Sequence, residues 1–150
     1  MIEIKKINSF ENDYESVGFS KTDLKKAKFN TKFLVHIDPE KSLIIIECMI
    51  RFYLIRDEKE YDLSGLRVAN LFKIKNFKKT FNYQQDNKID IPKEILATFL
   101  NICIGGARGM LTMLHTNPDY KEYILPLVNH HKIADSIITS AKSKDRTSTK

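Results

Sequence analysis

Residues 43–55 read LIIIECMIRFYLI and form the strongest structural pattern in the 150-residue chain. Its even positions are all apolar, whereas its odd positions include Glu47 and Arg51. Successive side chains of a β-strand point to opposite faces, so the pattern predicts a strand with one core face and one half-exposed face. The residues expected in the core are Ile44, Ile46, Cys48, Ile50, Phe52 and Leu54.

Two further long strands are predicted beside this one. Residues Ala27–Ile37 alternate between apolar and polar side chains, and Tyr61–Phe77 carries a similar apolar face with a bulge or bend expected at Gly65. Short polar turns separate the three strands, which must therefore be antiparallel neighbours, because a parallel crossover needs about a dozen residues or more. A shorter strand is expected around Tyr14–Phe19.

The second half of the chain changes to helical spacing. A polar linker, Asn82–Asp90, is followed by a long helix predicted from Pro92 to His115. Residues 124–128 are expected to be extended, since a residue before proline avoids the helical region. A shorter amphipathic helix follows Asn129. Strands followed by helices predict an α+β fold.

The long helix is apolar over too wide an arc for one sheet to cover. At about 100° per residue its apolar positions span on the order of 200°, and Gly105 and Gly109 lie in the remaining sector. With Gly106, the helix holds three of the five glycines of the chain. The excess apolar surface predicts a homo-oligomer. The alternative is a break at Gly105-Gly106 that leaves two ordinary helices. The candidate interface residues are Ile95, Ile102, Gly105, Gly109 and Met113.

Composition predicts one folded domain, residues 1–138, followed by a basic and disordered tail at 139–150. The chain is 42% hydrophobic and 29% charged, with a net charge of +6. No uninterrupted apolar run reaches the roughly 18 residues of a membrane span, and the start lacks a signal-peptide pattern. Cys48 and Cys103 lie in apolar stretches without metal or redox spacing, which indicates reduced, buried thiols in a cytoplasmic protein.

No catalytic, cofactor or metal site is predicted, so we expect no enzymatic activity. The glycine-rich stretch 105–109 lacks the Lys-Ser/Thr pair of a phosphate-binding loop and lies within the helix. His130 and His131 are adjacent, so on a helix they point about 100° apart and cannot share one metal ion.

Residues 72–83, FKIKNFKKTFNY, alternate basic and aromatic side chains. This composition suits single-stranded nucleic acid, whose bases stack on aromatic rings and whose phosphates pair with lysine. It equally describes a strand with aromatic residues in the core and lysines in solvent. We favour the second interpretation, and nucleic acid is not the expected partner.

The order of motifs in the second half resembles the SecB family of bacterial export chaperones. The stretch IPKEIL (91–96) opens a helix, ARGML (107–111) lies near its end, and LPLVN (125–129) precedes the final helix. The last motif resembles the family's Pro-Val-Asn linker, and the similarity is best over Ile91–Ile138. The resemblance implies a four-stranded antiparallel sheet packed with a long helix and a shorter C-terminal helix, assembled as a dimer of dimers.

The resemblance also implies an ATP-independent holdase that binds unfolded or nascent polypeptide in apolar grooves. Its clients would be proteins for export or one dedicated partner, such as an antitoxin. The alternative is a binding module or scaffold of the same fold that uses its basic surface for nucleic acid or a partner protein. Candidate client-binding residues are Ile45, Met49 and Tyr53 on the half-exposed strand face and Tyr123, Ile124, Leu125 and Leu127 in the extended segment.

One residue departs from the family pattern. Relatives that deliver clients to the SecA motor present acidic residues on the outer sheet face, but this chain has Arg67 between Leu66 and Val68. The basic side chain argues against SecA docking. It does not bear on the chaperone fold, and the client remains open.

Overall fold

The computed structural model of the protein describes residues 1–81 and 91–147. These residues form four β-strands and three α-helices. The strands are β1 (Ile2–Glu11), β2 (Lys28–Asp38), β3 (Leu43–Arg56) and β4 (Lys59–Lys73). The helices are α1 (Phe77–Thr80), α2 (Lys93–Leu114) and α3 (His130–Thr147), and two 3-10 turns lie at Asp23–Lys26 and Tyr120–Glu122.

The four strands form one antiparallel sheet in the order β1-β4-β3-β2. Strands β2, β3 and β4 follow one another through short turns, as the sequence predicts. The connection after β1 crosses to the far edge of the sheet, which gives a Greek-key arrangement. The predicted α+β fold, a four-stranded antiparallel sheet with a long helix and a shorter C-terminal helix, is confirmed.

Helices α2 and α3 pack on one face of the sheet. The six even positions of β3 from Ile44 to Leu54 are at most 2% exposed, and they form the sheet side of the core. The odd positions from Leu43 to Tyr53 are half-buried on the opposite face, as predicted. Leu100 of α2 and Ala134 of α3 lie in the same apolar cluster as Ile46.

The fourth strand lies elsewhere than the sequence predicts. It is β1, which pairs along β4 from Ile2↔Phe72 to Glu11↔Ser64. A strand is predicted at residues 14–19, but residues 14–18 form turns instead, and Gly18 has a positive φ of 76°. Tyr14 and Phe19 are not part of the sheet. Both side chains pack into a buried cluster with Phe52. Burial of two aromatic anchors explains the apolar positions there.

Strand β4 is shorter than predicted. Its register irregularity lies at Leu63, two residues before the predicted position at Gly65. The strand ends at Lys73 instead of Phe77, and Asn76 (φ 53°) adopts the left-handed conformation that starts α1. The register against β3 shifts so that Leu63 has no partner there, whereas Gly65 is paired on both sides. The prediction of a bulge at Gly65 is therefore wrong.

Helix α2 runs unbroken through its glycines, so the alternative of two helices meeting at Gly105-Gly106 does not describe the structure. By length and composition α2 is also apolar enough to cross a membrane, a property shared by core helices of soluble proteins. Here its buried face packs on β3 and β4.

Two predicted segments, the linker and the C-terminal tail, lie wholly or partly outside the described residues. The linker Asn82–Asp90 falls outside them. Helix α3 continues to Thr147, past the boundary at residue 138 expected for the folded domain, and 148–150 lie outside. Disorder of the 139–150 tail in solution stays a prediction.

Candidate functional site

One face of α2 is left open by the sheet and by α3, and it carries the predicted interface residues. Ile95 and Ile102 are half-buried, and Met113 is 87% exposed. A Cβ added at Gly105 or Gly109 would meet no atom within 4 Å. The structure therefore brings these five residues together on one accessible side of the helix.

The inner face of β1 extends this open surface. Ile2 and Ile4 are 50% and 41% exposed although they point to the helix side of the sheet, opposite Phe72 and Asn70 of β4. The Ile4 Cδ1 atom lies 3.6 Å from where a Cβ of Gly106 would be. The α2–β1 surface, defined by Ile2, Ile4, Ile95, Ile102, Gly105, Gly109 and Met113, is thus apolar and continuous across two elements.

The segment after α2 is anchored firmly before it enters the candidate client region. Tyr120 is fully buried and its Oη donates to the Asn12 carbonyl at 2.6 Å. The Asp119 carboxylate accepts from Tyr14 Oη at 2.7 Å and pairs with Lys21 at 2.6 Å. The bond to Asp119 raises the pKa of Tyr14 to about 12. These contacts fix the start of the segment against the loop that follows β1.

From this anchor, residues 123–129 run without helix or strand to the start of α3. Leu125 is 2% exposed and packs with Leu111 of α2, whereas Ile124 is 59% exposed and Leu127 is 89% exposed. Tyr123 is half-buried with its ring 5.4 Å from that of Phe52. The four predicted residues of this segment therefore divide into two that are held against the core and two that face solvent.

The other three predicted client residues lie on the opposite face of the sheet. Ile45, Met49 and Tyr53 are half-buried among the odd positions of β3. The structure does not bring them together with the 123–129 segment, because the sheet separates the two sets. Sequence periodicity identifies the two faces of a strand but not which face the later segment crosses.

Two arginines on the outer sheet face are paired with acidic side chains. Arg67 Nε donates to Glu47 at 2.9 Å across β3 and β4. Arg51 Nε donates to Asp62 at 2.9 Å, and the hydrogen bond to Asp62 is the largest cause that raises the pKa of Arg51. Glu47 and Asp62 there are thus paired with arginine.

Arg108, the arginine of the 107–111 motif, is partly buried on α2. Arg108 projects from α2 next to Ile104 and Leu111, and both of these pack in one cluster with Leu125. Its Nε and Nη2 atoms are shielded from solvent and have no hydrogen-bond partner among the described residues. The sequence signal is an arginine one helical turn after a buried isoleucine, which is too common a pattern to identify a site.

A polar network holds the end of α2 to the sheet. His115 is 3% exposed, and its Nε2 lies 2.8 Å from Ser64 Oγ. The Glu11 carboxylate accepts hydrogen bonds from Thr116 and Asn117. Burial by itself would raise the pKa of Glu11, but these bonds outweigh it and lower the pKa. The network joins β1, β4 and the end of α2, so we assign it a structural role.

Two of the remaining sequence features are buried. Cys48 and Cys103 are free and buried, and burial raises the pKa of each thiol to about 12. In the basic-aromatic stretch, Phe72, Phe77 and Phe81 are at most 2% exposed and cannot stack on bases. Within residues 1–81 and 91–147 no three His, Cys, Asp or Glu side chains are grouped for a metal ion.

Comparisons with known proteins give similarities in structure. No family model matches the chain, and no curated protein does. The SecB-like chaperone Rv1957 of Mycobacterium tuberculosis, solved with a ChAD peptide from the Rv1956 HigA1 antitoxin, is 12% identical, with a TM-score of 0.44 over 85% of this chain and 86% of that chain. A protein of unknown function from Streptococcus agalactiae is 16% identical, with a TM-score of 0.29 over 85% of this chain and 99% of that one.

Proposed function

We propose that this protein is an ATP-independent chaperone of SecB type that holds unfolded polypeptide along its 123–129 segment. The observation that carries the proposal is the exposure of Ile124 and Leu127, at 59% and 89%, on a segment anchored by buried Tyr120 and Leu125. Apolar side chains beside fixed anchors offer a client a surface that needs little ordering on binding. The proposal is of a binding protein without catalytic chemistry, in the cytoplasm.

The assembly is proposed to be a homo-oligomer, a dimer of dimers, with the α2–β1 surface as one of its two kinds of interface. The exposed glycines Gly105 and Gly109 allow a second helix to approach closely, and Met113 and Ile102 supply apolar area. Glycine in a helix costs about 1 kcal/mol relative to alanine, and a close helix–helix contact would offset that cost.

The proposed clients are unfolded or nascent chains, including a dedicated partner such as an antitoxin. Docking to the SecA motor is not part of the proposal, because Arg67 and Glu47 neutralise each other on the outer sheet face. Ile45, Met49 and Tyr53 lie half-buried on that outer face. We propose them as a secondary client surface, separate from the 123–129 segment.

Suppression of aggregation by the purified protein without nucleotide tests the proposal. A reduced, denatured protein is diluted into buffer with the wild type or with the double variant Ile124→Ser and Leu127→Ser. We expect the wild type to suppress light scattering and the variant to lose most of that effect. Val17→Ser is the control, since Val17 is 37% exposed in the loop after β1, away from both proposed client surfaces. Equal suppression by all three proteins would contradict the assignment of the 123–129 segment.

A further inference from the structure

The outer edge of β2 lacks the bulges and prolines that commonly protect the edge of a sheet. Within the described residues β2 pairs only with β3, along its whole length and without a register shift. It contains neither proline nor glycine. The opposite edge strand, β1, is interrupted by a shift between Lys6 and Asn8. A long and regular edge strand presents unpaired N–H and C=O groups to any strand that can align with it.

This edge also keeps apolar area accessible in both layers of the fold. The inner side chains of β2 are only half-buried, although those of β3 beside them are almost completely covered. The isoleucines of α3 in the same apolar cluster are half-buried as well. A second copy of the chain presents the same sheet layer and helix layer, whereas a single extended peptide offers a sheet layer alone. The half-buried side chains are Phe33, Val35 and Ile37 of β2 and Ile133, Ile137 and Ile138 of α3.

The sequence of β2 is complementary to itself in one register. Two copies related by a two-fold axis perpendicular to the sheet keep their helices on one side, so inner positions face inner positions. The strand then pairs along its full length only when the axis passes through its middle residue, Phe33. In that register Lys28 lies opposite Asp38 of the second copy at both ends, and Lys32 lies opposite Leu34. Opposite charges that face each other stabilise paired strands, whereas an axis through Lys32 would set the two lysines against each other.

We propose that the protein pairs with a second copy of itself through β2, antiparallel and centred on Phe33, so that the two sheets become continuous. This inference rests on the proposed function, in whose assembly it supplies the second kind of interface beside the α2–β1 surface. Pairing satisfies the open main-chain groups of β2 and removes half-buried apolar side chains from water. The Asp38 carboxylate accepts from the backbone N–H of Lys41 at 3.0 Å, which holds it at the end of the strand.

Disulfide trapping in the full chain tests the pairing. Lys32→Cys with Leu34→Cys introduces cysteines that face each other in the proposed register, both on the exposed side of β2. The Cα atoms of facing residues are about 4.5–5.5 Å apart, which a disulfide can span. We expect oxidation with copper–phenanthroline to give a linked dimer that a reducing agent releases. Asn30→Cys with Lys32→Cys is the matched control, because both positions are exposed and have the same spacing, but their cysteines do not face each other.

A charge reversal checks the register. In the Lys32→Cys, Leu34→Cys protein, adding Lys28→Glu should slow linkage about tenfold, since each dimer then has two like-charge pairs in place of two opposite-charge pairs. Further addition of Asp38→Lys should restore the rate. Linkage of the control pair at the same rate, or an unchanged rate with Lys28→Glu, would overturn the inference.

The absence of linkage would also overturn the inference, provided that the variant has the wild-type circular dichroism spectrum. Asn30→Cys with His36→Cys is a second facing pair on the exposed side, and it replaces the first if that variant does not fold. Suppression of aggregation by the wild type is measured separately. A wild type that suppresses aggregation while neither facing pair links would overturn the β2 interface and leave the proposed chaperone function standing.

Discussion

At the residue scale, the absence of a side chain at Gly65 of β4 allows Phe10 of the edge strand β1 to pack over the sheet. The ring of Phe10 packs across the Gly65 backbone, so a Cβ there would overlap the ring, with Phe10 Cζ at 2.8 Å and the Ile50 carbonyl oxygen at 3.1 Å. Glycine is required at this position because the Phe10 ring occupies the space that a side chain would fill. The sequence alone does not distinguish this requirement from a bulge. Close approach and bulging both favour glycine.

Gly65→Ala should lower the free energy of unfolding by about 1–3 kcal/mol, the usual cost of overpacking. Part of the cost comes from displacing the Phe10 ring, so Gly65→Ala should cost less in a Phe10→Ala background. Urea unfolding of the four proteins measures this coupling. Equal costs in the two backgrounds would show that the ring does not occupy the glycine position.

His115 makes stability depend on pH. Burial lowers the pKa of His115 from its usual 6.5, although the nearby Glu11 carboxylate opposes the shift. Below about pH 6.5 the unfolded chain takes up a proton that the folded chain resists, so stability is complete above that pH and falls as the pH drops through the folded pKa. His115→Gln should therefore lose less stability than the wild type between pH 7.5 and 5.5, as measured by urea midpoints. An identical loss in both proteins would remove His115 as the cause.

At the scale of elements, the 123–129 segment combines an anchor with an exposed surface. Leu125 and Leu127 are the same residue two positions apart, at 2% and 89% exposure. Leu125→Ala should cost about 2–5 kcal/mol of stability, the range for a buried leucine. Leu127→Ala should stay within about 0.5 kcal/mol of the wild type and weaken binding of unfolded polypeptide.

Urea unfolding and peptide anisotropy on this pair separate stability from binding. A large loss of stability in Leu127→Ala would place its side chain against the protein. Unchanged binding in Leu127→Ala would remove it from the client surface.

The elements differ in how well the sequence predicts them, for physical reasons. Strand β3 and helix α2 are long and strictly periodic, so their type follows from the pattern. Strand β1 is missed because its register slips between Lys6 and Asn8, which breaks the alternation, and because Ile2 and Ile4 are exposed. The aromatic anchors of residues 14–19 imitate a strand, since tertiary packing selects apolar residues in loops as well.

The candidate site can be predicted only where the local sequence is enough to show whether a side chain is buried or exposed. The apolar character of the 123–129 segment is visible in the sequence, but the burial of Leu125 and exposure of Leu127 depend on how α2 packs against it. The separation of Met49 from this segment depends on which face the helices cover.

At the scale of the whole molecule, the open face of α2 is the feature that a monomer leaves unexplained. Gly105→Leu should fit the protomer, since nothing lies within 4 Å of the added Cβ, yet it should separate subunits that meet at this surface. We expect a smaller mass by light scattering with an unchanged far-ultraviolet circular dichroism spectrum. Lys132→Leu, on the exposed side of α3, is the control and should leave the mass as it is. A Gly105→Leu protein with the parental mass would exclude this face as the interface.

The most direct test of the chaperone assignment is the solution mass by light scattering, with and without a reduced, unfolded polypeptide. A holdase that is a dimer of dimers should have a mass of about 70 kDa, four times that of the 17.5-kDa chain, and should co-elute with the unfolded polypeptide. A 17.5-kDa monomer that elutes apart from the polypeptide would contradict both the assembly and the function.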